Sequence, residues 1–219
     1  MHIQYYGLSC VKLTTKPGGR GAADVTIVVN PFTRTKDLTP PQLGSADIIV
    51  AAAETPAYYS DAARGADAVA VTMPGEYAIK GVQIVGVDLP VSADTTPATA
   101  FIIESEGMKV AVVTATDTLP GARQFEEMNG AHVLIVAAGG NGVLSGSQAV
   151  DITRKIEPAF VIPVNCALPH NATTAPYAST DEFCDKIGTC PKETVPKVVL
   201  KAQDCADAAM HVVLMAPQK

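Results

Sequence analysis

Charge is scarce in this sequence. Of its 219 residues only 17% are Asp, Glu, Lys or Arg, whereas 47% are apolar and 5% aromatic. A disordered chain carries the opposite balance, so a packed core is expected. No Lys/Arg cluster is present, and 22 acidic against 16 basic residues leave a net charge of −6. Nucleic-acid binders draw affinity from neutralised phosphates, so the balance speaks against nucleic acid as a partner. The opening Met1-His2-Ile3-Gln4-Tyr5-Tyr6 has neither the basic nor the apolar part of a signal peptide. Apolar runs such as Ile48 to Ala53 fall short of the ~18 residues a membrane span needs. These absences predict a soluble, cytoplasmic protein with no membrane partner. No repeat and no Ser/Thr/Pro bias is visible, which excludes collagen-like and mucin-like chains.

Cysteines are few and follow no ligand pattern. Cys10, Cys166, Cys184, Cys190 and Cys205 are odd in number and contain no Cys-x-x-Cys. The Cys184–Cys190 spacing is too wide for a zinc-ribbon knuckle. Free thiols in a reducing compartment are expected, with a Cys184–Cys190 disulfide as the alternative.

What is present is a succession of short β-branched runs. His2–Tyr6 and Cys10–Thr14 flank Gly7-Leu8-Ser9 and are expected to pair through a short turn. Asp24–Val29 is a strand that stops at Asn30-Pro31, because Pro31 lacks an N–H and biases Asn30 away from helix. Asp47–Ala52 reads as a strand covered on both faces. Thr55 as N-cap and Pro56 as first helical residue predict a short helix closed by Gly65. Asp67–Thr72, Val82–Val87, Ala98–Glu104 and Met108–Thr114 read as strands, the last two joined by a hairpin turn at Glu104-Ser105-Glu106-Gly107. A helix over Pro120–Asn129 and a buried strand over His132–Ala138 follow. Ser145 with Gln148 forms a capping box that opens a helix, and Ala159–Val164 is the next strand. Ser179 with Glu182 suggests a second capping box, for a helix that Gly188 ends. Val195–Leu200 and Met210–Leu214 read as late strands. No Gly-, Pro- or Ser-rich linker divides the chain, so residues 1–219 are expected to form one mixed α/β domain. His2, His132 and His211 lie in strand-like runs and read as structural. Gly139-Gly140-Asn141-Gly142 precedes a helix but lacks the spacing and Lys of a phosphate loop.

The ordered landmarks resemble the metallo-β-lactamase superfamily, in particular its bacterial lactonase-like metal-dependent hydrolases. They are Tyr5-Tyr6-Gly7-Leu8-Ser9-Cys10, Val28-Val29-Asn30-Pro31-Phe32, Ala46-Asp47-Ile48-Ile49-Val50, Pro74-Gly75-Glu76-Tyr77, Lys80-Gly81-Val82, Ala138-Gly139-Gly140, and Ile156-Glu157-Pro158 with Val161-Ile162-Pro163. The resemblance implies a four-layer α/β/β/α sandwich with a metal site at one edge. Two zinc or manganese ions would there turn a bridging water into a hydroxide nucleophile.

The family motif His-x-His-x-Asp-His falls on Ala53, Thr55, Ala57 and Tyr58, and none of these is a ligand. The bridging Asp falls near Ala115 and the final His on Asn165. The middle His falls near Val91. A neutral amide is a much weaker zinc ligand than imidazole. Asn30 stands where the family usually has an Asp that supports the metal loops. Residues from which a relocated site could be built are Glu54, Glu76, Asp88, Asp94, Asp117 and His170, with Cys166 beside Asn165 as a possible nucleophile. Tyr58 and Tyr59 could line a pocket, or one of them could fill the space where the metals would sit while the other lies on the helix surface.

The leading expectation is therefore a hydrolase-like protein without its metal ligands, binding no metal cofactor and acting through an unidentified small molecule or protein. An active lactone or phosphodiester hydrolase with a relocated site is one alternative. A structural protein that forms homo-oligomers is another.

Overall fold

A computed structural model describes residues 1–34, 40, 42–92, 96–167, 177–206 and 209–218. His170 and Asp94 lie outside the described residues. The strands are β1 (His2–Tyr5), β2 (Val11–Thr15), β3 (Val25–Val29), β4 (Ala46–Val50), β5 (Arg64–Val71), β6 (Gly75–Ile79), β7 (Val82–Leu89), β8 (Ala98–Ser105), β9 (Met108–Val113), β10 (Val133–Ala137), β11 (Phe160–Val164), β12 (Lys197–Val199) and β13 (His211–Val212). The helices are α1 (Ala122–Met128), α2 (Gly146–Ile156), α3 (Asp181–Ile187) and α4 (Ala202–Cys205).

Two sheets share the strands. The first runs β12-β1-β2-β3-β4-β5 and the second β13-β11-β10-β9-β8-β7-β6. Each has an antiparallel half and a parallel half: β3-β4-β5 are parallel in the first, β9-β10-β11-β13 in the second. Alternation along the strands sorts the apolar side chains into layers. Ile27, Ile48 and Val50 of the first sheet meet Ile84, Phe101, Val112 and Ile162 of the second in the core between the sheets. The opposite face of the second sheet packs Leu134, Val136 and Val161 against Ala149, Ile152 and Phe183 of the helices. Burying one such Ile is worth about 1.5–3 kcal/mol. The opposite face of the first sheet, with Val28 and Ile49, is covered by Phe32, Leu43, Ala63 and other loop residues. The result is the α/β/β/α sandwich, thinner over its first sheet, where the described cover is loops and a 3-10 turn at Asp61–Ala63.

Several local expectations are corrected. The helix after Thr55 does not form: Tyr58 and Tyr59 N–H groups donate to Thr55 O at 2.9 and 2.8 Å, which makes a single turn. Gly65 ends no helix but lies in β5, where a Cβ would come 2.7 Å from the Ala46 carbonyl oxygen. The Ser145 box is formed, with Gln148 N–H donating to Ser145 Oγ at 3.2 Å and Ser145 N–H to Gln148 Oε1 at 2.9 Å. The Ser179–Glu182 box is not: Thr180 is the N-cap of α3, and Ser179 Oγ donates instead to Asp181 Oδ2 at 2.7 Å. The expectation of five free thiols also fails. Gly188 (φ +83°) turns the chain back after α3, the Cα atoms of Cys184 and Cys190 come within 5.3 Å, and the two form a disulfide. Cys10, Cys166 and Cys205 are free and buried.

Candidate functional site

The carboxyl ends of the parallel strands of both sheets converge at one edge of the sandwich, where α/β folds commonly bind ligands. Asn30 follows β3 in a left-handed conformation (φ +48°), fully buried. Asn tolerates this conformation better than branched residues do. Its N–H donates to Val50 O at 2.7 Å, which holds it to β4. Its side chain spans the sheets: Oδ1 accepts from Ala52 N–H at 2.8 Å, and Nδ2 donates to Thr114 Oγ1, just past β9, at 2.9 Å. Ala52 O in turn accepts from Thr99 N–H of β8 at 2.8 Å.

The residues on which the family's ligands would fall surround this junction. Ala53 is buried, Thr55 half-buried and Ala57 exposed. The half-buried Tyr58 donates its hydroxyl to Thr114 O at 3.3 Å. Ala115 packs against the apolar layer beneath the helices. Asn165 follows β11, buried and left-handed (φ +50°), and its N–H donates to Leu8 O at 2.7 Å. Its side chain hydrogen-bonds the Tyr177 phenol. Gly139 makes room for it, since a Cβ there would come 2.0 Å from the Asn165 carbonyl oxygen. Two buried side-chain oxygens, Asn165 Oδ1 and Ser9 Oγ, have no hydrogen-bond partner among the described residues. Such groups ordinarily find a partner in protein, water or ligand.

Nothing in this cluster is charged near neutral pH. Burial raises the Tyr58 phenol above its ordinary range, with Tyr177 adding to the effect. Burial also raises Tyr177, against the opposing hydrogen bond from Asn165. Burial pushes the Cys166 thiol up to about 12 and raises Cys10 as well. The thiolate is the reactive form, so a buried Cys166 thiol is a poor nucleophile at neutral pH.

Of the relocated-site residues, the described Asp117 and Glu54 are engaged in separate places. Asp117 accepts from Ser92 Oγ at 2.7 Å and Thr118 Oγ1 at 2.9 Å, and these hydrogen bonds hold its carboxyl below the ordinary range. Glu54 is turned toward the end of β5, where it accepts from Thr72 Oγ1 at 2.8 Å. Among the described residues no three His, Cys, Asp or Glu are grouped so as to hold a metal ion. Amide, hydroxyl and neutral thiol do not fit a two-metal centre, which wants imidazole and carboxylate.

Tyr177, Ser9 and Thr114 were not legible as site residues. Each reaches the edge through tertiary contacts, and no short motif marks them. Among the described residues no helix is long and apolar enough to cross a membrane.

Known proteins place this arrangement. The family model described as a β-lactamase superfamily domain matches residues 2–165. A candidate Zn-dependent hydrolase of the metallo-β-lactamase superfamily from Thermotoga maritima is similar at 22% identity, with 98% of this chain and 99% of that one covered and a TM-score of 0.73. Igni18, a metallo hydrolase from the archaeon Ignicoccus hospitalis KIN4/I, is similar at 18% identity, with coverage of 100% and 96% and a TM-score of 0.68. The metallo-β-lactamase fold protein YhfI of Bacillus subtilis is similar at 11% identity, with coverage of 99% and 97% and a TM-score of 0.60. No curated protein matches. At these identities the solved structures share the fold, and the family match over three quarters of the chain makes it a member of the β-lactamase superfamily, with the metallo-β-lactamase fold.

Proposed function

We propose that this chain is a hydrolase-like member of the superfamily that works without the metal pair, as a binding or scaffold protein. The observation that carries this reading is the composition of the inner edge. Where imidazoles and carboxylates would be needed, Ala53, Thr55, Ala57, Tyr58, Ala115 and Asn165 stand, and an uncharged network of Asn30, Tyr58 and Thr114 occupies the junction. Loss of one ligand could be tuning of a site. Replacement at every aligned ligand position fits a scaffold kept after its hydrolytic chemistry was lost. The orphaned oxygens of Asn165 and Ser9 favour a small, uncharged, hydrogen-bonding ligand over an anion. Residues 1–219 are read as acting as one domain, since β12 pairs with β1 and β13 with β11.

Metal content tests the reading. The untagged full chain is incubated with excess zinc and manganese, desalted and measured by mass spectrometry. Less than about one tenth of an equivalent is expected, because catalytic zinc usually requires three protein ligands. One or two equivalents would overturn the proposal and return attention to Asp117 and His170.

A further inference from the structure

A cavity of about 510 Å³ opens beside the inner edge, lined by Thr33, Glu54, Thr55, Pro56, Tyr59, Ala70 and Thr72. Its size is that of a small-molecule site. It lies at the carboxyl ends of the parallel strands β3, β4 and β5, and Ala70 and Tyr59 belong to the apolar layer on the outer face of the first sheet. The cavity thus differs from the junction that Asn30 closes between the sheets.

Its chemistry is one-sided. The Glu54 carboxylate has the Thr72 hydroxyl as its partner at 2.8 Å, and no cation among the described residues pairs with it. Glu54 lies close enough to Tyr59 for its charge to act on the phenol. The Tyr59 hydroxyl is committed to Asp61 Oδ1 at 2.8 Å, which leaves the ring to the cavity wall. Arg64 is paired with Asp61 at 3.3 Å, and Arg34, the neighbour of the lining residue Thr33, is exposed. Among the described residues no Lys or Arg lines the cavity. One carboxylate, an aromatic ring, threonine hydroxyls and apolar walls from Pro56 and Ala70 complement a charged head on a short apolar body.

We infer that this outer cavity binds a small organic cation, of the primary-ammonium class, with Glu54 taking the charge and Tyr59 and Pro56 the hydrocarbon. This goes beyond the metal-free reading of the inner edge, with which the cavity shares only Thr55.

The test is a titration of the isotope-labelled full chain, followed by amide chemical shifts, with three matched probes at constant ionic strength: n-butylammonium, 1-butanol and butyrate. Saturable shifts at Glu54, Thr55, Tyr59 and Thr72 are expected with n-butylammonium, in the millimolar range suited to so small a probe. The alcohol and the carboxylate should bind at least about five-fold more weakly. Glu54→Gln, at an exposed position and with an oxygen still able to accept from Thr72, should weaken the ammonium probe about five-fold and leave 1-butanol unchanged. Tyr59→Leu should weaken the ammonium probe more than 1-butanol. Equal shifts from all three probes, no saturation with n-butylammonium, or unchanged affinity in Glu54→Gln would overturn the inference. Metal content reads the inner edge separately, so failure of one proposal is distinguishable from failure of the other.

Discussion

Asn30 ends β3 in the first sheet and Asn165 ends β11 in the second. Both are buried, both follow a strand in the parallel half of a sheet, and both are left-handed. Asn30 spends both ends of its amide, on Ala52 N–H and on Thr114 Oγ1. Asn165 bonds Tyr177 and leaves its Oδ1 without a partner among the described residues. The same residue type in the same backbone state is a cross-link in one sheet and unspent capacity in the other. Position at a strand end therefore does not decide role; the accounting of donors and acceptors does.

The largest expected effect tests that contrast directly. Asn30→Ala would leave Ala52 N–H and Thr114 Oγ1 short of a buried partner and place Ala in a left-handed conformation. It should cost about 3–4 kcal/mol in urea denaturation. Asn165→Ala should cost about 1–2 kcal/mol, mostly from the backbone conformation. Equal costs would break the comparison.

The next effect sharpens it on the outer layers. The second sheet is covered by helices and a disulfide, the first by loops. Replacing Cys184 and Cys190 by Ala opens a closure of sequence separation 6 and should lower stability by about 2 kcal/mol. Iodoacetamide on the denatured, unreduced protein should add three labels by mass, one for each of Cys10, Cys166 and Cys205, with two more after reduction. Five labels before reduction would remove the disulfide.

The smallest effect is electrostatic, and the sheets should share it. Burial would raise the Asp47 carboxyl of β4, but Lys80 Nζ at 2.5 Å and the Thr26 N–H at 2.8 Å outweigh it and set it below its ordinary value of 3.8. Asp117, beyond β9, is held below the same value of 3.8 by Ser92 and Thr118. Depressed carboxylates stabilise the fold above their unfolded pKa and lose that contribution as pH falls through the folded pKa. Thermal stability should therefore be flat from neutrality to about pH 5 and decline below about pH 4. Asp47→Asn and Asp117→Asn should each shallow that decline, and an unchanged acid limb in both would count against these assignments.

Much of this was legible in the sequence. The apolar runs at Ile48–Val50, Val110–Val113 and Val133–Ala137 gave their strands because burial on both faces removes polar alternation. Ser145 with Gln148 gave α2 because a cap is a local contact. The failures also have local causes. Thr55-Pro56 carries helix-start residues, yet the chain makes one turn at Thr55 and a 3-10 turn at Asp61–Ala63, then extends into β5. β6 was not expected, because it is a short edge strand in which only Tyr77 and Ile79 turn toward the core. Positions 53, 55, 57, 58, 115 and 165 could be named from the family pattern. What stands around them could not, since Thr114, Tyr177 and Ser9 arrive from distant segments. The outer cavity was half visible, in Glu54 and Tyr59, but Thr33 and Thr72 join it only through sheet pairing.

Ala52 ties these observations together through its backbone alone. Its N–H is held by Asn30 of the first sheet, and its carbonyl receives Thr99 N–H of the second. The link to the first sheet runs through the Asn30 amide and can be dissolved by substitution, whereas the peptide-to-peptide link to Thr99 cannot. Neither sheet can breathe at this edge without the other, so amide exchange at Ala52 and Thr99 is tied to opening of the whole sandwich rather than to fraying of one layer.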